Sequence, residues 1–391
     1  MKAKLTVTLS ILAVLIVSLA VDRQSQLAPR KTTILDEPPG AALEGVGAPV
    51  WSRSGPWPWI RTPVIADGKA IVMMEHGILS ALSLEDGAVS WEVEVGYVPS
   101  PPMLMNDVLY VGGGDNWMCA VRASDGQKLW RYEAFTPVEG DEKRNHDVTP
   151  LGFVGDAVLF DSTDSNVYAL RRDTGTLAWK LAKPVCKPSG YSPDHFDAGI
   201  LYMAGPGQVC AVEAATQKVL WKTETEVSDP GWLGKTGDRV FVTGGGKVEA
   251  LSAAEGRVLW WLDLGTKGRM IDAIPVAGDR IAVLGGWDDP RVYMLDSASG
   301  KLLWVKKMSR FPNVGMADGK GRLWICLSDG TLAILDAADG TVLKEHAIGV
   351  HMFCVPVMAG EILLVGTRRP HEERLHERGV LTAYRVTGAT P

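Results

Sequence analysis

Apolar and polar positions alternate in short runs along most of this chain, and the clearest run lies between Asn166 and Trp179, reading NVYALRRDTGTLAW. Val167 to Leu170 alternate as a half-buried strand, Asp173-Thr174-Gly175 supplies a tight turn with glycine where positive φ is needed, and Leu177 to Trp179 return as a second strand. The stretch predicts a β-hairpin. Versions of it recur about every 43 residues, with the turn glycine repeated as Gly87, Gly126, Gly175, Gly256, Gly300, Gly340 and Gly388. A tryptophan follows that glycine four residues later as Trp91, Trp130, Trp179, Trp260 and Trp304, and one copy with Gln217 in the glycine slot still keeps Trp221.

Each copy continues the same order: apolar strand, short turn, apolar strand, loop, then the hairpin. The first turn is short throughout, as at Asp67-Gly68, Asn106-Asp107, Gly155-Asp156, Ala198-Gly199, Gly237-Asp238, Gly278-Asp279, Asp318-Gly319 and Gly360-Glu361. A four-stranded sheet of about 40 residues cannot bury both of its faces alone, so stacked copies must share a core. An indole near the outer strand of each copy would fill that seam, contribute about 2–3 kcal/mol on full burial, and need an acceptor for its N–H on the neighbouring copy.

The two ends of the repeat have matching defects. Val355 to Val386 hold three strand-like runs and then the turn Thr387-Gly388, so the last copy lacks its fourth strand, whereas Val50-Trp51 is in phase with the later tryptophans but follows no hairpin. The segment around Trp51 is therefore expected to complete the last sheet and shut the ring without an open edge. Outer strands at Trp51, Trp91, Trp130, Trp179, Trp221, Trp260, Trp304 and Lys344 make eight copies, and the seam at Lys344, without an indole, should be the weakest. The expected fold is all-β: an eight-bladed β-propeller of four-stranded antiparallel blades over residues 49–391.

Before it, Met1 to Lys4 carry two lysines and Leu5 to Val21 form an uncharged, mostly apolar run of 17 residues, which reads as an export signal over residues 1–21, cleaved or retained as an anchor. Residues 22–48, rich in Pro, Gly, Ala, Gln and charge, read as a flexible tether. An extracytoplasmic location follows, periplasmic or membrane-anchored, with the membrane involved only through that anchor. Acidic residues exceed basic ones, 46 against 40, with a pI near 5.7, which disfavours nucleic acid. The five cysteines form no CxxC and no adjacent pair, so no zinc or redox motif and no disulfide framework is expected, and Cys119 and Cys210, in the slot of Tyr168, read as core residues. With no cysteine before Cys119, a lipid-modified N terminus of the bacterial lipoprotein type is not expected.

The Ala-x-x-x-x-Thr-Gly-x-x-x-Trp spacing of Ala169, Thr174, Gly175 and Trp179, with its looser copies from about Val50 to Gly388, resembles the tryptophan-docking repeat of the pyrroloquinoline quinone (PQQ) type β-propellers. That family holds large quinoprotein dehydrogenases and non-enzymatic propellers of outer-membrane protein assembly. A single exported ring without extra domains is similar to the second kind, which implies a monomeric, non-catalytic interaction scaffold in the cell envelope. The implied partner is a protein, from a membrane assembly complex, and the scaffold carries neither cofactor nor metal. A PQQ- and calcium-dependent oxidoreductase is the alternative, and a sensor or polysaccharide-binding propeller a third.

In an up-and-down blade the second loop and the connection to the next blade lie at one end of the ring, and the irregular segments gather there. Arg131 to His146, Lys180 to Ser192 and Arg368 to Arg378 are the longest of them. The aromatics expected at that end, Trp117, Phe135, Tyr191, Trp232 and Trp287, with Tyr97 nearby, form the candidate partner-binding face, each ring alternatively lying flat on a neighbouring blade. Under the enzymatic alternative Lys235, Arg269, Arg310 and His351, all just before a first, inner strand, would meet the cofactor carboxylates. His371, Glu372, Glu373, His376 and Glu377 could hold a divalent metal but are interleaved with arginines as in a solvated loop, and Asp288-Asp289 before Pro290 reads as a turn rather than a calcium site.

The seam argument generates a first prediction. Trp179→Ala should lower stability by about 3–5 kcal/mol in thermal or denaturant melts, whereas Lys344→Trp should be neutral or stabilising; equal tolerance at both positions would contradict docking.

Overall fold

In the computed structural model, the residues described are 35–36, 47–56, 61–134, 146–164, 166–182, 194–266, 272–287, 289–349, 354–369 and 378–386. They form eight antiparallel sheets and, among the described residues, no helix. Blade 1 is built from Val64–Ala66, Lys69–Glu75, Ile78–Ser83 and Val89–Glu94, and blade 2 from Met103–Met105, Val108–Gly112, Trp117–Arg122 and Lys128–Glu133. Blade 3 comprises Val148–Val154, Ala157–Ser162, Asn166–Arg171 and Leu177–Ala182, and blade 4 Asp194–Asp197, Ile200–Gly205, Gln208–Glu213 and Lys218–Glu224. Blade 5 runs through Trp232–Thr236, Arg239–Gly244, Lys247–Ser252 and Val258–Asp263, and blade 6 through Asp272–Val276, Arg280–Leu284, Arg291–Asp296 and Leu302–Lys307. Blade 7 uses Pro312–Ala317, Arg322–Leu327, Thr331–Asp336 and Val342–Ala347.

Blade 8 joins both ends of the ring. Val357–Ala359, Ile362–Arg369 and Arg378–Arg385 supply three strands, and Pro49–Gly55 adds the fourth, with Trp51 opposite Ala383 and Ser52 opposite Thr382. The hydroxyls of Ser52 and Thr382 lie 3.0 Å apart across the closure. A fifth, two-residue strand, Leu35–Asp36, pairs with Ser54 and Arg53, inside the segment expected to be a tether.

The cores lie between blades rather than within them. Ile71, Met73 and Leu79 of blade 1 bury against Leu109, Val111 and Cys119 of blade 2, and the same sharing links blades 5 and 6 through Phe241, Val248, Ile281 and Tyr293. Both faces of each middle strand are thereby buried, which explains their near-continuous apolar runs.

The indoles dock as the repeat predicts. Trp51 donates its Nε1–H to Leu84 O at 2.9 Å, Trp91 to Ala123 O at 2.9 Å, Trp130 to Arg172 O at 2.8 Å, Trp221 to Ala253 O at 3.0 Å, Trp260 to Ser297 O and Trp304 to Ala337 O at 3.1 Å. Every acceptor sits in the hairpin turn of the next blade. The turn glycine is demanded twice over: its φ is +69° to +76°, and a Cβ on Gly87, Gly126, Gly175, Gly256, Gly300 or Gly340 would fall 2.4–2.8 Å from the docked ring. In all eight outer strands the register shifts immediately before the docking position, so that Val50, Ser90, Leu129, Ala178, Leu220, Leu259, Leu303 and Leu343 are extra residues. Such a bulge sharpens the twist and re-aims the following side chain, here onto the next blade.

Two seams depart from the rule. Gln217 takes the glycine slot beneath Trp179 at φ +61°, a left-handed conformation costly for a residue with a side chain. At the seam after blade 7, where Lys344 replaces the indole, Trp324 of the second strand is fully buried among Leu332, Ile334, Leu363, Val365 and Tyr384, so a tryptophan fills this seam from within. Its Nε1–H donates to Asp318 Oδ2 at 3.0 Å, which Arg322 Nε also reaches at 2.7 Å.

One expectation is corrected. Cys119, Cys326 and Cys354 are free and buried, but Cys210, though buried in the core, is disulfide-bonded, a pairing that cysteine spacing alone does not reveal. Cys186, residues 1–34 and the turn Thr387-Gly388 lie outside the described residues.

The double requirement on the turn glycine yields a pair of opposed expectations. Gly256→Ala should destabilise by about 2–4 kcal/mol through backbone strain and overlap with Trp221, whereas Gln217→Gly should gain up to about 1 kcal/mol, both read as shifts in denaturant midpoint.

Candidate partner-binding face

Strand order places the second loops and the inter-blade connections at one end of the ring, and the aromatics expected there diverge in the structure. Trp117 is the first residue of a strand rather than part of a loop and is only 2% exposed. Its ring lies over Gly113, where a Cβ would come within 1.8 Å, and under the Arg131 guanidinium, 4.3 Å from its centroid. Arg131 also donates to Val95 O at 2.8 Å, so Trp117 is a clamped core residue with no exposed ring to offer. Trp232 begins the inner strand of blade 5, half-buried over Gly234, and packs on the core shared with blade 6. Tyr97 stacks on His76 at 5.3 Å with nearly parallel rings. Phe135 and Tyr191 lie outside the described residues.

Trp287 is the exception, 71% exposed between the second and third strands of blade 6. The loop that carries it is pinned. Asp289 is buried behind it, accepting Tyr293 Oη–H on Oδ2 at 2.6 Å and Arg291 Nε–H on Oδ1 at 2.5 Å, while its own N–H donates to Gly286 O at 3.0 Å. Gly285 permits this approach, because a Cβ there would meet the Asp289 carboxyl carbon at 2.6 Å. Both Asp289 oxygens are thus committed to side chains, which answers the calcium alternative for this residue; Asp288 lies outside the described residues. The outcome is an exposed indole on a loop held by a buried, charge-assisted anchor.

Blade 3 contains the same device without the exposed ring. Tyr168 Oη–H donates to Asp164 Oδ2 at 2.5 Å, four residues apart as in blade 6, and Asn116 Nδ2 adds a bond to the same oxygen at 3.0 Å. Burial pushes the Asp164 carboxyl up, but the donors from Tyr168, Asn116, Asn166 and Ser162 outweigh it and leave the group below its usual range. The Asp-x-x-x-Tyr spacing shared by Asp164 and Tyr168 with Asp289 and Tyr293 is the sequence signal for this anchor.

Nearer the axis, Asp272 opens the inner strand of blade 6 and accepts backbone N–H groups from Ala273 and from Gly315 of blade 7. Part of the residue is open to solvent, yet protein crowds the carboxyl, and that burial raises it to about 7 against the two amides. Asp147, before blade 3, is likewise pushed up by burial, with Arg61 and His146 opposing and Asp115 adding. Of the cations considered for a cofactor, Lys235 meets Asp197 at 2.7 Å and Arg310 lies 3.9 Å from Asp329, while Arg269 and His351 lie outside the described residues. The described residues hold no group of three or more potential metal-ligating side chains, and the loop with His371 and Glu372 is outside them.

These features define a tryptophan-docked, eight-bladed propeller that, among the described residues, exposes Trp287 on a pinned loop at its irregular end. The profile of the family described as "Outer membrane protein assembly factor BamB" matches residues 41–184, 163–230 and 205–352, and the chain belongs to that family. The Burkholderia pseudomallei outer membrane protein assembly factor BamB is 27% identical over 349 residues, covering 84% of this chain and 78% of the relative. The quinoprotein alcohol dehydrogenase PedH of Pseudomonas putida is 26% identical over 214 residues, 51% of this chain and 32% of the enzyme. Among solved structures, BamB from Moraxella catarrhalis superposes with a TM-score of 0.66 at 16% identity, over 88% of this chain and 99% of that one. A europium-containing methanol dehydrogenase gives 0.65 at 13% identity, over 86% and 93%, so the fold is common to both kinds of protein.

Asp289→Ala should cost about 2–4 kcal/mol by orphaning Tyr293 Oη and Arg291, and should loosen Trp287, read as lower fluorescence anisotropy. Asp272 gives a pH signature. Its carboxyl is raised in the folded state, so the folded chain binds the extra proton between about 4 and 7, and stability falls as pH climbs through that window. Asp272→Asn should flatten that fall in melting temperature between about pH 4 and 7.

Proposed function

We propose that this protein is a non-catalytic, extracytoplasmic scaffold that binds protein components of outer-membrane protein assembly, using the loop end of the ring. Membership of the BamB family carries this reading, and the exposed indole of Trp287 on a pinned loop supplies the kind of anchor that dominates protein interfaces. A rigid ring suits that role, because a partner then meets a preformed surface and little ordering cost attends binding.

The quinoprotein neighbours sustain a second reading, oxidation of an alcohol with bound PQQ and calcium. The side chains considered for it fit poorly: Lys235 is paired with Asp197, Arg310 faces Asp329, and the sequence holds no adjacent cysteine pair. We infer a propeller that works without a cofactor, as a monomer.

In pull-downs from envelope extracts, the intact chain should recover outer-membrane assembly components, and Trp287→Ala should weaken recovery at least about tenfold with an unchanged melting temperature. Recovery of glycan instead, or tight PQQ binding with calcium and dye-linked alcohol oxidation, would overturn the proposal.

A further inference from the structure

The seam between blades 7 and 8, where Lys344 stands in the indole position, also brings two free cysteines together. Cys326 lies on the second strand of blade 7, between Val314 and Leu332, fully buried. Cys354 lies in the connection to blade 8 and is 1% exposed, and the Cys326 thiol points at its carbonyl oxygen, 3.8 Å away. The Cys354 thiol reaches its neighbour Val355 O at 3.4 Å, and the Gly366 backbone and the Thr62 hydroxyl adjoin it. Val355 N–H in turn donates to Thr62 Oγ1 at 3.2 Å. Cys354 is therefore a junction of blade 7, blade 8 and the segment that enters blade 1.

We propose that Cys326 and Cys354 are an oxidation site, and that a disulfide formed between them staples a seam whose outer strand carries Lys344 in place of the repeat indole. The bond forms by two exchanges with a disulfide donor, either a protein oxidant or a small-molecule disulfide. The Cys354 thiolate attacks a donor sulfur and releases one donor thiolate; the Cys326 thiolate then attacks Cys354 Sγ and releases the second. Two protons leave the cysteines, and two electrons pass to the donor disulfide, whose two sulfurs end as thiols. The presence of a disulfide at Cys210 shows that the chain is compatible with oxidising conditions.

Burial controls the timing. It pushes the Cys354 thiol up to about 12 and holds Cys326 far above its ordinary range, with the adjacent Cys354 adding to the effect, so in the closed ring neither offers an attacking thiolate. Oxidation thus requires the seam to open, and the bond then closes a loop of blade 7 onto the junction. Cys119 is an internal control: it is equally buried, also raised to about 12 by burial, and sits at an indole-docked seam.

The test uses the purified full chain, reduced and then incubated with oxidised glutathione well below its melting temperature. The products are alkylated in denaturant and mapped by mass spectrometry. A Cys326–Cys354 linked peptide lighter by two hydrogens should accumulate, Cys119 should stay alkylatable, and melting should rise by about 5 °C. Lys344→Trp, which supplies the missing indole, should slow formation of that peptide at least about fivefold. Cys326 and Cys354 recovered as separately alkylated or separately glutathionylated thiols would overturn the site, and an unchanged rate in Lys344→Trp would overturn its control by the seam.

Discussion

An indole lying on a left-handed glycine is the contact on which this molecule rests. The ring needs a flat, Cβ-free surface, the turn needs positive φ, and glycine alone satisfies both at once. The indole N–H finds a carbonyl in the same turn, as Trp91 does at Ala123 O and Trp260 at Ser297 O. One contact therefore couples the geometry of a hairpin in one blade to the side chain of the blade before it. Because the strand bulges immediately ahead of each indole, the aim of that side chain is built into the backbone as well.

Coupling of this kind explains why the ring closes through its N-terminal segment. Trp51 would be a solitary hydrophobic residue in an extended strand; paired with Ala383 and docked on Leu84 O, it makes blade 8 and blade 1 neighbours like any other pair. Arg53 strengthens that junction by donating to Gly87 O at 2.8 Å. With every blade held on both sides, the loops at one end are supported by a frame that does not need them for stability. Such loops are free to carry recognition, and in blade 6 a buried carboxylate pins the loop that bears an exposed tryptophan.

Much of this architecture could be read from residue order. The glycine-to-tryptophan spacing, the short first turns and the incomplete last copy were enough to infer eight blades and the closing strand. Contacts without a periodic signature were not legible. Trp324 stands in no repeat slot, yet it fills the seam that Lys344 leaves without an indole. Trp117 was expected to face a partner, because a tryptophan near a loop gives no hint of the arginine that will cover it. The Cys210 disulfide and the pairing of Leu35–Asp36 with the outer edge of blade 8 depend on where distant segments cross, which spacing does not encode. The exposure of Trp287 follows from its place in a second loop, but the Asp289 carboxylate behind it reads as no more than a turn until its spacing to Tyr293 is set beside that of Asp164 and Tyr168.

Exchange of the indole N–H protons with solvent deuterium, followed by NMR, tests the central claim most directly. If docking holds the ring shut, the protons of Trp51, Trp91, Trp130, Trp221, Trp260 and Trp304 should be strongly protected and should exchange together at the rate of global unfolding, while that of exposed Trp287 exchanges at once. Docked indoles that exchanged as fast as Trp287, or one by one with no loss of the folded ring, would show that the seams are held by something else.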